Sequence, residues 1–370
     1  MKRNTTARIL APMLGLSLLA GCGKTEPTVL DPDTAFSKHA ATDVVMTVNG
    51  TDVTWSEFFY RLYNIAYQIQ YYDKDGKMDW TASSTASPEQ TNAEYVWQTA
   101  VDSCMQFHVL STKAADLGIT LDAADQETLD AQLSSDMTKF CGENPTDEAF
   151  DEALSKMYLT RDVYNYFNEV GIIYDKAFAQ TCGTRGENLT DEDIQAFIDD
   201  EGYTTVKHIL ISTQTADGST MTGEDLAGKT ALATLILTQL QEVKDDPDAL
   251  CAKFDELMNQ YSEDTGLPYY PDGYTFKSGE MVEEFETAAQ GLEEYGLSDL
   301  VQTDYGYHII LRLPTTRDSL VTYVDDSTGY TIGDYASASV FSRLLNSWID
   351  EADVTWSKDF KNLTPEKIFK

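Results

Sequence analysis

Apolar residues change their spacing near position 203, and that change divides the chain. Before it they recur every three or four positions, the period of helices that bury one face. The clearest stretch holds Tyr95, Val96, Val101, Cys104, Phe107, Leu110, Ala114 and Leu117, with Gly118 as the stop. An earlier helix is expected from Thr54 to about Tyr72, with Thr54 as its cap and Glu57 at the capping-box position. Ahead of it, Val44-Val-Met-Thr-Val-Asn-Gly50 and Thr51-Asp-Val-Thr54 predict a β-hairpin turning at Asn49-Gly50. A polar loop runs to about Asn92. Further helices are expected over 123–139, 147–169 and 190–200, the last capped by Thr190 with Asp193.

From Tyr203 the pattern mixes strands and helices. Thr204–Ser212 reads as a strand, followed by amphipathic helices near 226–244 and 248–261. A short strand at Tyr274–Phe276, a helix near 282–291, and strands Leu297–Thr303 and Tyr307–Leu313 complete a β-α-α-β-α-β-β order. After Pro314 a polar stretch with Gly329 and Gly333 leads to a helix over Ala336–Glu351. Ala352–Trp356 then has strand character and suits pairing with the hairpin near Val44–Val53. The fold class is therefore α+β, with a mainly helical part and one small antiparallel sheet.

With 370 residues there is room for two domains with separate cores. A formal charge of −36 argues against nucleic acid as a partner, because phosphate contacts need Lys and Arg. A hydrophobic fraction of 42% keeps the chain in the globular class despite that charge. Lys2, Arg3 and Arg8 precede an apolar run from Ile9 to Ala20, the layout of a secretory signal. That run is too short to span a bilayer, which takes about twenty residues. It ends in Leu19-Ala20-Gly21-Cys22, which resembles a bacterial lipobox, and the resemblance implies diacylation of Cys22 and a membrane anchor. Residues from Gly23 to about Thr42 are polar, include Pro27 and Pro32, and read as a tether.

Four cysteines follow: Cys104, Cys141, Cys182 and Cys251, which allow three disulfide pairings in an exported protein. Cys141 and Cys182 stand before glycines at helix ends, and Cys104 and Cys251 inside helical patterns. No C-x-x-C occurs, so neither a zinc site nor a redox pair is supported, and no metal or cofactor is expected. Asp73–Asp79 has its glycine in the wrong place for a calcium loop and reads as a plain loop.

Chemistry concentrates in the second part. The chain has four histidines; two of them, His208 in Val-Lys-His-Ile-Leu and His308 in Tyr-Gly-Tyr-His-Ile-Ile, lie a hundred residues apart on the first and last strands of the α/β unit. Between them come Tyr-Ser-Glu-Asp264 and Phe276-Lys-Ser-Gly-Glu-Met281-Val-Glu-Glu-Phe285. This constellation resembles the parvulin-type peptidyl-prolyl isomerases. The resemblance implies a hydrogen-bonded network of His208, Asp264, Thr303 and His308, and a proline pocket floored by Met281 and Phe285 with Phe276 beside them. His39 and His108 receive no role.

Val-Asn-Gly50, Thr54-Trp-Ser-Glu-Phe58 and Leu117-Gly-Ile-Thr-Leu-Asp122 are similar to the N-terminal domain of the SurA and PrsA chaperone foldases. The organisation that follows is a signal peptide over 1–21 and a lipid anchor with tether over 22–43. A helical chaperone domain begins over 44–202, a parvulin-type domain spans 203–314, and a segment over 315–370 returns to the chaperone domain. The expected function is an extracytoplasmic isomerase and chaperone acting on unfolded secreted proteins with X-Pro bonds. The aromatic-rich N-terminal helices leave a homodimer open. Two departures favour the alternative of a parvulin-fold chaperone that only binds its clients. Gly273, in Pro268-Tyr-Tyr-Pro-Asp-Gly-Tyr274, stands where the family has an apolar pocket residue, and Tyr305 replaces a small rim residue. The loop Ser212–Thr222 contains no Lys or Arg, so phosphorylated clients are not required.

Overall fold

The computed structural model of the chain describes residues 27–325 and 328–370. In order these form α1 (Pro32–Phe36), β1 (Val44–Val48), β2 (Thr51–Thr54), α2 (Trp55–Tyr72), α3 (Asn92–Asp116), α4 (Ala123–Cys141), α5 (Asp147–Ser155) and α6 (Arg161–Cys182). Then come α7 (Asp191–Glu201), β3 (Thr204–Ser212), α8 (Gly223–Gln241), α9 (Pro247–Tyr261), β4 (Tyr274–Phe276), α10 (Glu283–Gln290), β5 (Val301–Thr303) and β6 (Gly306–Leu313). The chain closes with β7 (Leu320–Asp325), β8 (Thr328–Thr331), α11 (Ile332–Asp350), β9 (Val354–Trp356) and α12 (Pro365–Ile368). It divides into two compact units, one ending at Gln180 and completed by Ser342–Lys370, the other spanning Thr181–Phe341. The apolar run before Cys22, and Cys22 itself, lie outside the described residues. Among those described, no helix is long and apolar enough to cross a membrane.

In the first unit the hairpin turns at Asn49 and Gly50, both at positive φ (50° and 80°), as a tight hairpin turn requires. β9 pairs antiparallel with β1 through Met46↔Trp356 and Val48↔Val354, giving the order β2-β1-β9. The core beside it is aromatic: Trp55, Phe58 and Phe59 of α2 are fully buried, and Trp97 stacks on Trp356 at 5.5 Å.

Three expectations need correction here. The tether does not hold from Thr28 on: Thr28 bridges to Met78, and α1 is seated on this unit, with Ala35 buried, the Phe36 carbonyl accepting from Trp55 Nε1, and the Phe36 ring against Trp55 and Phe59. Polar composition hid this, because only a few apolar side chains, Leu30, Ala35 and Phe36, do the anchoring. Helix 147–169 is two helices, broken at Tyr158 (φ 64°), where Ser56 Oγ donates to the Tyr158 carbonyl and accepts from the Thr160 amide. Glu57 does not close a capping box. The Thr54 hydroxyl accepts from the Glu57 amide, but the carboxylate turns inward to Arg61 and His108.

The second unit is built on an antiparallel sheet of order β4-β3-β6-β5. β3 and β6 run side by side from Thr205↔Leu313 to Ser212↔Gly306. Side chains alternate across a strand, so the odd positions Ile209, Ile211, Ile309 and Leu311 enter one core against α8 and α9 (Ile236, Leu240, Leu250, Phe254). The even positions Val206 and Ile310 meet Phe276 and the α10 residues Phe285 and Ala289 on the other face. Each fully buried aliphatic side chain contributes about 1.5–3 kcal/mol. Beyond Pro314 the polar stretch contains the antiparallel pair β7–β8, which its composition did not announce.

Candidate active site

His208 and His308 lie on the even face of the central strand pair. His208 stands opposite Ile310 and His308 opposite Leu210, so the two imidazoles are diagonal neighbours. Asp264 reaches them from the loop after α9. That loop is fastened to β3: the Glu263 amide donates to the Leu210 carbonyl at 2.8 Å, and the Leu210 amide donates to Ser262 Oγ at 3.2 Å. Thr303 comes from the end of β5, one tight turn before His308.

These four side chains form one line of contacts. Asp264 Oδ2 lies 3.2 Å from His208 Nε2, His208 Nδ1 lies 3.1 Å from His308 Nδ1, and His308 Nε2 lies 2.9 Å from Thr303 Oγ1. The Tyr305 amide then donates to Thr303 Oγ1 at 3.1 Å. Two neutral imidazoles satisfy this line in only one way. The carboxylate only accepts, so His208 donates from Nε2 and accepts at Nδ1. His308 must then donate from Nδ1 and accept at Nε2 from the Thr303 hydroxyl. Every proton is assigned and every acceptor used.

Burial, reinforced by the neighbouring His208, lowers the pKa of His308 from 6.5 to about 4, so its ring stays neutral near pH 7. Burial opposes the charge of Asp264, but hydrogen bonds from His208, the Tyr274 hydroxyl and the Gly266 amide outweigh it and hold the carboxyl well below the usual carboxylate range. Phe285 stands edge-on to both imidazoles at 5.2 and 5.3 Å, closing one side with an apolar wall. Phe276 lies beneath Phe285 and is 1% exposed, so it supports the wall without offering surface; half-buried Met281 packs beside them.

The structure thus brings together all seven residues singled out inside this unit. Sequence reasoning missed Tyr274, whose hydroxyl donates to Asp264 Oδ2 at 2.6 Å. It also missed a second buried cluster, in the first unit: His108 Nε2 lies 3.0 Å from Glu57, Arg61 pairs with the same carboxylate, and Thr51 Oγ1 meets His108 Nδ1 at 2.8 Å. Cys104, Cys141, Cys182 and Cys251 are free thiols. Among the described residues no group of three or more His, Cys, Asp or Glu is placed to hold a metal ion.

Residues 208–313 match the family described as Rotamase, PPIC-type PPIASE domain. This module therefore carries a PPIC-type rotamase domain, the class that its strand order and paired histidines define. Beyond it the chain is similar to foldase protein PrsA of Oceanobacillus iheyensis, 28% identical over 187 residues that cover 50% of this chain and 52% of that one. Foldase protein PrsA 1 of Bacillus cereus is 37% identical over 122 residues, covering 31% and 41%. The chain spans about half the length of the curated relatives it matches. A solved structure of peptidylprolyl isomerase PrsA from Bacillus cereus superposes with a TM-score of 0.31 at 20% identity, over 80% of this chain and 97% of that one.

Proposed function

We propose that this chain is a peptidyl-prolyl cis/trans isomerase and chaperone, held on the extracytoplasmic face of a membrane by lipid on Cys22, and acting on unfolded secreted proteins. One observation carries the reading: a line of hydrogen-bonding groups, Asp264–His208–His308–Thr303, with its one carboxylate at the far end, set against the apolar wall of Phe285 and Met281.

An X-Pro bond resists rotation by about 18–20 kcal/mol because twisting destroys amide resonance. No covalent bond is made or broken, so no nucleophile is needed. The site has only to hold the twisted amide better than the planar one. An apolar recess strips water from the amide carbonyl and so disfavours its charge-separated planar form. The neutral imidazole pair supplies polar groups to the turning amide without placing a full charge beside the proline ring. The acidic line is anchored at Asp264, which fixes the direction in which the protons point. Exposed Tyr67, Tyr71 and Tyr72 on α2 supply apolar surface for unfolded segments, in keeping with a chaperone role.

The refolding of a protein whose slow phase is limited by an X-Pro bond tests this reading. Substoichiometric amounts of the chain should shorten that phase. A second reading, binding without catalysis, is favoured by one observation: Tyr274 fills the space beside His208, ring centroids 5.4 Å apart. It predicts less aggregation of the client with the slow phase unchanged.

A further inference from the structure

We propose that Tyr274 is a positioning residue for Asp264, and that the β7–β8 pair, outside the rotamase domain, locks it in place through Tyr270 and Tyr323. The proposal rests on the isomerase reading above for its kinetic consequence, but not for its structural one.

The Tyr274 hydroxyl donates to the same carboxylate oxygen that meets His208. Burial and the adjacent carboxylate both raise the Tyr274 pKa far above its ordinary value, so the phenol stays a donor throughout. Two glycines make room for this contact. Any Cβ on Gly266 would collide with the Tyr274 hydroxyl, and at Gly273, with φ 115°, it would stand 2.7 Å from the Val206 carbonyl. The second close approach sets the register Val206↔Tyr274 between β3 and β4. A side chain there would push Tyr274 away from Asp264.

Tyr274 is itself held from behind. Tyr270 stacks on it with centroids 4.8 Å apart and planes at 29°. The Tyr270 hydroxyl accepts a hydrogen bond from the Tyr323 amide in β7 at 3.3 Å. The Tyr323 ring meets Tyr270 at 6.3 Å and Tyr269 at 5.0 Å. A strand at residues 320–325 thereby reaches Asp264 through two tyrosines. The domain match ends at residue 313, so this support is an addition to the module.

The test uses the full chain and two readouts. In the first, ¹⁵N–¹H spectra of the histidine side chains report where the ring protons sit. The wild type should show His208 protonated at Nε2 and His308 at Nδ1. Tyr274→Phe should shift the His208 Nε2–H signal as its acceptor carboxylate loses a donor, and Tyr323→Ala should shift it in the same direction by less. In the second, kcat for an X-Pro peptide should fall about ten-fold in Tyr274→Phe with KM little changed, the loss expected from one hydrogen bond to a charged group. In an Asp264→Ala background the same change should cost nothing further. Unmoved histidine signals in Tyr274→Phe, or equal kinetic losses with and without Asp264, would overturn the proposal. If the wild type shows no isomerase activity, the isomerase reading fails and the histidine spectra still decide the positioning role.

Discussion

His208 and His308 face each other Nδ1 to Nδ1 at 3.1 Å, with ring planes only 26° apart. One proton lies between them. Both cannot carry a full charge at that distance without severe repulsion.

The depressed pKa of His308 makes stability depend on pH. In the folded chain the ring titrates near 4, in the unfolded chain near 6.5. Between those values the unfolded state binds a proton that the folded state does not, so stability rises with pH across the window and is lost as pH falls through it. The full shift corresponds to about 3 kcal/mol. Urea midpoints of wild type and His308→Ala, followed from pH 7 to pH 4, should converge as acid is added. Asp264, held below 3.8, adds its own loss only below that range.

Thr303→Val keeps the shape of the side chain and removes the donor that His308 Nε2 accepts. A buried acceptor left unpaired costs roughly 1–3 kcal/mol, and the assigned proton order no longer has a fixed end. Isomerase kcat should fall by about ten-fold, while Thr303→Ser, which keeps the hydroxyl, should recover most of it. Steady-state kinetics of the two variants side by side check this.

Gly273→Ala should cost about 1–3 kcal/mol through positive φ and the clash with the Val206 carbonyl. Because the β3–β4 register carries Tyr274, the loss should appear both in the urea midpoint and in the His208 signal. A change in stability with the histidine signal unmoved would separate the turn from the site.

In the first unit, Glu57→Ala should be the most damaging substitution among the polar core residues. Glu57 is 2% exposed and is shared by Arg61 and His108. Removing it leaves a buried guanidinium unpaired, which costs roughly 3–5 kcal/mol. Thermal unfolding monitored by tryptophan fluorescence measures it.

The sheet and its histidines were legible because their signals are local. Strand alternation around His208 and His308 states which residues share a face, and the spacing of strands and helices states the order. Val354–Trp356 was readable as a strand for the same reason. What failed to show has a common cause: contacts between residues distant in sequence. The helix break at Tyr158 is held by Ser56, a hundred residues earlier, and its local sign is slight, the Thr160 hydroxyl that caps the next helix. β7 and β8 are short and nowhere fully buried, so no apolar alternation marks them. Tyr274 is legible only as a departure from a family turn; that Gly266 and Gly273 clear a path for its hydroxyl to Asp264 is a fact of three dimensions. His108 reads as one more helical position until Glu57 is seen to point inward.

The most direct test of the account is the cis-to-trans relaxation rate of a short unphosphorylated X-Pro peptide, measured with the wild type, His308→Ala and Asp264→Ala. The wild type should accelerate it clearly and either variant only a little. Acceleration that survives both substitutions would place catalysis elsewhere, and none with the wild type over a range of X residues would contradict the isomerase reading.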